Sequence, residues 1–591
     1  MSTDTVPARK SASPSSSAAP KDSHLSHFNL KLNGTQAPPE MMADLLDCTV
    51  ENDLDMPDMC TIRMHDNGFK WVDSKLVQEG SRVQVEAGGE KDAQLNGIFD
   101  GEIVGLEPDM SGHGVTTLIL RCFSRLHRLA RGKKSVSFVQ QTDSDIVRKV
   151  GQASGFDVNA DPSGIVHEHV YQHNQTDWEF LNVRAHRIGF RLYLQGQKNL
   201  FFKKVDNNAK EVVKLDWGTN LRSFRLQTSL FGQVSGVVVR GWDPLQKRVI
   251  VGKSDSPQGV PHAKGAGAEF RLPSDLPKAE MTITDRPIHT QAEADALAKS
   301  YNDDIGGAFL VAEGLCFGEP KLLPGVMVQI NNIGERFNGK YYVTSTTHTY
   351  TPSEGYATQF KVTGKRPSSL LSAIGNDRND GGVSSAPMAN NAVVGIVTDN
   401  KDPDNLGRVK VKYPWLSNDH TSHWVRITSP MAGSERGLFI LPEMDDEVLV
   451  VFEHGDFNHP FIIGSLWNGK DKPVEGNDKA VAGGKVNRRT LKSRIGHTLL
   501  LDDTDGKGGV TIITCAGHKV FLNDKDDEII VVDKTGGNKI TIKSGNNSVK
   551  VECMGDFSVD AKGKVSIKGM AGVDVNTPAI MTLQGSLVKI N

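Results

Sequence analysis

The chain has 591 residues, more than one hydrophobic core supports, because cores stop growing at about 250–300 residues. Its 38% hydrophobic and 24% charged composition is that of a water-soluble globular protein, and no apolar run approaches the roughly 18 residues that span a bilayer. With 68 basic against 71 acidic residues, a net charge of −3 does not favour a nucleic-acid binder, which must neutralise phosphates.

Fifty-nine glycines beside only 6% aromatic residues point to many turns and a mainly β chain. The six cysteines, Cys48, Cys60, Cys122, Cys316, Cys515 and Cys553, are widely spaced without a CxxC pair, so they read as reduced thiols rather than a zinc site or disulfide framework. Residues 1–23 form a Ser/Ala/Pro-rich tail expected to be disordered. It lacks the apolar stretch of a secretory signal, so no Sec export is expected.

Residues 24–365 alternate short β-like runs with three amphipathic helices. The first begins near Thr142 and carries Ile146, Val147 and Val150. The second opens on Thr176 with Glu179 at capping-box spacing and places Trp178, Leu181, Ala185 and Ile188 at the helical period. The third opens on Thr290 with Glu293 and aligns Ala294, Leu297, Ala298 and Tyr301. Strands such as Gln233–Arg240 and Tyr341–Ser345 lie between them. Residues 366–391, polar and without periodicity, read as a linker. Five short β runs in residues 392–473 have the rhythm of a small closed barrel, for which the oligonucleotide/oligosaccharide-binding (OB) fold is the natural candidate. A neck, residues 474–495, follows.

Residues 496–591 carry the most informative pattern. Apolar pairs at i and i+2 recur at ten-residue intervals in Val510/Ile512, Val520/Leu522, Ile530/Val532 and Ile540/Ile542. Val549/Val551, Phe557/Val559, Val565/Ile567, Val573/Val575 and Met581/Leu583 follow at nine and then eight. One short strand plus one turn per repeat is a β-solenoid signature. Each repeat offers two inward side chains, worth about 1.5–3 kcal/mol apiece when buried, against about 1–2 kcal/mol of backbone entropy per ordered residue. The expectation is therefore an intertwined trimeric β-helix whose core includes Val549, Val551, Phe557, Val559, Val565, Ile567, Val573 and Val575. The alternative is an ordinary antiparallel meander.

The order of these parts resembles the VgrG-like trimeric spike family of contractile injection systems, found in type VI secretion, contractile phage tails and extracellular injection particles. YQHNQTDWEFLNVRAHRIGFRLYL (Tyr171–Leu194) is similar to the family's DWEFL segment. VVVRGWDPLQKRVIVG (Val237–Gly252) and Gly314–Val362 resemble its second barrel. GRVKVKYPW, HWVRITSPMAG, ILPEMDDEVLVVFEHGD and PFIIGSLWNG resemble its OB strands, and RIGHTLLLDDTDGKGGVTIIT (Arg494–Thr514) its entry into the β-helix. The N-terminal FNLKLNGTQAPPEMMADLLDC departs from type VI spikes towards phage-like and extracellular systems.

The resemblance implies tandem phage-tail-hub-like β-barrels with a few helices, the OB barrel and a needle. It also implies a structural role that joins a hexameric inner-tube protein and baseplate proteins to a membrane-puncturing point. The implied partners are two further copies in a homotrimer, a PAAR-like tip protein at Leu587, Val588, Lys589, Ile590 and Asn591, effector cargo and the target cell envelope. Assembly is expected in the bacterial cytoplasm, followed by release or translocation with the particle. The candidate barrels are Val104–Arg121 and Val237–Gly252 with Gly325–Val362. The sequence leaves no room for a lysozyme domain between Val474 and Lys492, nor for an effector after the needle.

No catalytic, cofactor-binding or metal-binding residue is expected. Gly252-Lys253-Ser254 has Lys247 where a phosphate-binding loop needs glycine, and neither GxSxG nor HExxH occurs. His167, His169 and His173 could hold a metal only by sharing a strand or loop face and are read as polar side chains at the surface. The acidic loops Asp399–Gly407 and Asp502–Gly506 read as hairpin turns rather than calcium loops. The competing functional class is a carbohydrate- or peptidoglycan-binding adhesin on a β-helical stalk.

Overall fold

The computed structural model describes residues 27–88, 94–110, 115–204, 211–257, 272–362, 391–417 and 419–590. The N-terminal tail and residues 366–390 of the expected linker lie outside them. The chain divides into two compact units, Met1–Leu466 and Trp467–Asn591.

The first unit is organised by an eleven-stranded sheet. Its N-terminal half is built from strands between His27 and Ser124. The other half comes from Leu221–Thr228, Leu310–Phe317, Ser345–Thr351 and Gly355–Val362. The halves join where Ser345–Thr351 pairs antiparallel with Leu45–Asp53. Period-two alternation sends Cys60, Ile62 and Met64 inward opposite Cys122, Leu120 and Leu118, forming one core. Leu215, Val328, Ile330, Tyr341 and Phe360 form the other. These are two half-barrels, and they contain the described residues of Val104–Arg121 and most of Gly325–Val362. Val237–Gly252 lies elsewhere, because its strands Gly236–Asp243 and Arg248–Ser254 pair with Glu280–Ile283 in a separate three-stranded sheet under a helix. The strand expected over Tyr341–Ser345 is split between Gly339–Tyr342 and Ser345–Thr351.

Helix α1 (Pro39–Asp44) was not signalled by any periodicity. Helix α2 (Asp143–Ala153) starts on a Thr142/Asp145 capping box and α3 (Asp177–Arg187) on the expected Thr176/Glu179 box. Helix α4 (Gln291–Gly307) is capped by Thr290, and Ala294, Leu297, Ala298 and Tyr301 are buried against Val237, Val239 and Ile250. The α2/α3 module has its own core around Phe138, Ile146, Leu181, Phe190 and Phe202.

Five strands, in the order Lys410–Lys412, Val393–Asp399, Glu447–Phe452, Pro460–Ser465 and Arg426–Ile427, make the OB barrel. It closes through reciprocal backbone bonds between Val409 and Val425, 3.1 and 2.7 Å long, so no edge strand stays open. Cys48, Cys60, Cys122 and Cys316 are buried free thiols, whereas Cys515 and Cys553 are exposed. Among the described residues no helix is long and apolar enough to cross a membrane.

The second unit contains a seven-stranded sheet between Arg488 and Glu552 in which every strand pairs antiparallel with the next. Within one chain this is a meander. The first strand, Arg488–Lys492, begins inside the stretch expected as neck, and residues 553–590 carry no assigned strand.

Candidate functional site

The register of the C-terminal sheet defines its most distinctive surface. One cross-strand row runs Leu491, Leu499, Ile512, Val520, Val531, Ile540, Val551. The neighbouring row, after Arg489, runs Leu501, Val510, Leu522, Ile529, Ile542, Val549. Residues two apart share a face, so both rows form one aliphatic surface, and most of it is exposed in the single chain, with Val549 at 68% and Val551 at 51%. The opposite face is mixed, carrying Thr490, Leu500, Thr511, Phe521, Ile530, Thr541 and Lys550. The pairs Val510/Ile512, Val520/Leu522, Ile540/Ile542 and Val549/Val551 lie on the aliphatic face. Ile530/Val532 do not, because in the run Ile529-Ile530-Val531-Val532 the register selects Ile529 and Val531.

Phe557, Val559, Val565, Ile567, Val573 and Val575 are exposed too, from Val573 at 51% to Ile567 at 76%. They belong to the segment without assigned strands, so no register groups them with the aliphatic rows. Leu587, Val588 and Ile590 are exposed and Lys589 follows the same course; Asn591 lies outside the described residues.

A second device repeats along one edge of this sheet. In Ser493–His497 and Thr514–His518 a hydroxyl accepts from the backbone N–H of the closing histidine, at 3.0 and 3.1 Å. Gly496 and Gly517 take φ of +102° and +97°, where a side chain would be strained. Each closing residue then clasps the next turn on that edge. His497 Nδ1 accepts from the Cys515 N–H at 3.1 Å, His518 Nδ1 from Lys534 at 3.3 Å and Asn538 Oδ1 from Met554 at 3.3 Å. Sequence reading missed these clasps, although the repeated [Ser/Thr]-x-x-Gly-His spacing was visible.

In the first unit, the strand Val166–Gln175 joins the α2/α3 module to the OB barrel. Val170 packs into the module's core, while alternate residues on the other face meet other partners. Tyr171 enters the barrel core, its backbone N–H donating to Asn458 Oδ1 at 2.6 Å. His173 stacks on Phe457 with ring centroids 4.2 Å apart, and His169 lies 6.1 Å from the His423 ring. His167 turns to a buried ionic group, with its Nε2 3.1 Å from Asp143 Oδ2, while Arg184 Nε donates to Asp143 Oδ1 at 2.5 Å. Burial pushes the Asp143 carboxyl up, but Arg184 and His167 outweigh it and hold it at about 2. The three histidines thus share a strand but serve three different contacts. Among the described residues no group of three or more His, Cys, Asp or Glu side chains has metal-holding geometry.

The acidic loops are internally satisfied. Arg408 forks onto Asp402 at 2.9 and 2.6 Å, and the Leu406 N–H adds a third bond at 2.9 Å. Those hydrogen bonds hold the Asp402 carboxyl well below the usual range. Asp502 Oδ1 caps the Thr504 N–H at 3.0 Å, closing a turn.

Two parts of the chain match known families. Residues 22–352 match the Alg8 N-terminal domain and residues 393–467 the type VI secretion system/phage-baseplate injector OB domain. The type VI secretion system spike protein VgrG3 of Vibrio cholerae is 23% identical over 429 residues, 67% of this chain and 39% of that protein. VgrG1b of Pseudomonas aeruginosa is 34% identical over 130 residues, 21% of this chain and 18% of its own length. The chain therefore spans well under half of these relatives. One chain of a Francisella PdpA–VgrG complex shares the fold at 11% identity and a TM-score of 0.51, over 89% of this chain and 80% of that one. With the Alg8 N-terminal domain spanning more than half of its residues and an injector OB domain following, the chain belongs to the Alg8 N-terminal domain family and is a homologue of the VgrG spike proteins.

Proposed function

We propose that the chain is the structural, non-enzymatic spike of a contractile injection machine, acting as a homotrimer. The observation that carries this reading is the aliphatic face of the C-terminal sheet. Two rows of Leu, Ile and Val run across its strands with most of that surface in water, and each side chain gains about 1.5–3 kcal/mol on full burial. Monomeric proteins rarely display so large an apolar surface. Three copies presenting these faces to a common axis would bury it, with Val549 and Val551 in the shared core. In the trimer, Phe557, Val559, Val565, Ile567, Val573 and Val575 would extend that core as an intertwined β-helix.

The two half-barrels of the first unit supply the second argument. A trimer carrying two related half-barrels per chain offers six similar surfaces, the number that a hexameric inner tube requires. In this reading residues 24–365 hold the tube and baseplate, 392–473 form the OB collar, and 496–591 are the needle that meets the target envelope. Leu587–Asn591 would receive a PAAR-like tip protein, and effector cargo would travel with the spike. Assembly would take place in the bacterial cytoplasm.

Light scattering on the purified full-length chain tests the trimer directly. A mass of three chains is expected; a stable monomer at micromolar concentration would remove the reading. Loss of a copurifying tip protein on deletion of 587–591, with the trimer retained, checks the tip assignment. A fragment of residues 24–375 should bind purified tube protein, whereas residues 389–591 should not.

A further inference from the structure

The seam between the α2/α3 module, α4 and the OB barrel holds its histidines in two electrostatic settings. On one side His289 Nε2 lies 3.1 Å from Glu453 Oε2, and His459 Nδ1 lies 3.5 Å from Asp456 Oδ2. Arg187 stands between Asp456 at 4.0 Å and Glu293 at 3.7 Å. On this side each histidine faces a carboxylate.

On the other side the setting is reversed. His169, Tyr171, Tyr413, His423, Phe457 and Asn458 surround a small cavity, into whose lining the buried His169 Nε2 and Tyr413 Oη bring no hydrogen-bond partner. The charged groups acting on His169 are His423, Lys410 and His420, all positive when charged. His420 Nδ1 is 3.1 Å from Ser137 Oγ, and Glu168 lies 3.5 Å from His423 Nε2. Arg408 and Lys410 oppose a charge on His423, while Glu168 and Asp404 favour it. His173 stacks on Phe457, and its burial disfavours a charge.

We propose that this histidine face is an acid-released latch, which holds the OB barrel against the α2/α3 module while His169 is neutral and lets it go when His169 must carry a proton beside His423 and Lys410. The direction of the effect follows from the surroundings. Burial, with help from His423, pulls His169 from 6.5 down to about 4, and burial also lowers His173 and His423. A released His169 takes a proton below about 6.5 while the docked one refuses it until about 4, so docking weakens as pH falls through that interval. One such group costs about tenfold in the docking equilibrium per pH unit.

Hydrogen–deuterium exchange of the full-length protein, corrected for the intrinsic pH dependence of exchange, tests the latch. Between pH 6.5 and 5.0 the opening of Val166–Gln175 and of the barrel segment 421–427 should rise about 15-fold, while the hub strand Met59–His65 should hold its protection. His169→Asn, which keeps a polar side chain without a titratable ring, should make the seam several-fold less sensitive to pH over this range, with His423 and His173 carrying what remains. Should that variant fail to fold, exchange at the His169 ring C–H in the natural protein reports its titration. A midpoint well below 6.5 supports the latch. A midpoint near 6.5, a seam whose protection is flat from pH 6.5 to 5.0, or an Asn variant as acid-sensitive as the natural protein would overturn it.

Discussion

The half-barrels of the first unit and the meander of the second are built from similar strands with opposite outcomes. In Met59–His65 the inward residues Cys60, Ile62 and Met64 are buried by the strands of the same chain, whereas in Glu528–Val532 the apolar residues Ile529 and Val531 are about two-fifths exposed. The difference lies in the other layer. The hub sheet curls so that its own strands enclose a core, whereas among the described residues no second layer covers the two aliphatic rows of the meander. On the proposed trimer reading that sheet is half of an interface, and its stability becomes a function of chain concentration.

The largest effect expected from breaking this contrast comes from charge on the aliphatic face. Ile512→Asp with Val531→Asp should abolish assembly, because buried unpaired carboxylates cost several kcal/mol each; light scattering should find monomer, while hub strands keep their exchange protection. Next in size is the hub control. Leu120→Ala should destabilise the first unit by about 2–5 kcal/mol in denaturant unfolding without changing oligomeric state. Register gives a sharper test within one strand: Ile529→Asp should prevent assembly and Ile530→Asp should not. Asp143 provides a pH test confined to the first unit. Its carboxyl lies below the ordinary 3.8, at about 2, so its contribution is complete above about 4 and fades as pH falls towards 2. Arg184→Gln should shift that acid limb of the unfolding curve upward. The smallest effect is at a helix start, where Thr176→Ala should cost about 1 kcal/mol, measured by thermal unfolding, with no change in mass.

What could be read without the structure was what short spans determine. Thr176 with Glu179 and Thr290 with the Ala294, Leu297, Ala298 face act within a few residues, and both helices stand where their caps put them. The aliphatic pairs were visible for the same reason, except where four apolar residues in a row gave no alternation and Ile530/Val532 were chosen in place of Ile529/Val531. Val237–Gly252 was placed in a barrel because its strands look like any half-buried hairpin, and its true partners, Glu280–Ile283 and α4, are distant in sequence. The seam was hidden for a stronger version of that reason. Tyr171 and Asn458 are 287 residues apart, and nothing local in HEHVYQH tells that Tyr171 completes the core of another barrel.

The turn clasps carry a consequence for length. Acceptors on one edge, His497, His518 and Asn538, grip backbone N–H groups at Cys515, Lys534 and Met554, while the other edge is bridged by backbone carbonyls, Gly508 to the Asp524 N–H and Asp527 to the Ser544 N–H. The two edges are therefore chemically distinct, and each strand crosses from one to the other. Removing a single strand would carry every later clasping turn to the wrong side, whereas removing two, as from Cys515 to Asp533, restores each turn to its own edge. This sheet can thus be shortened or extended only in two-strand steps. Its reach is graduated like a ruler whose smallest mark is one out-and-back passage of the chain.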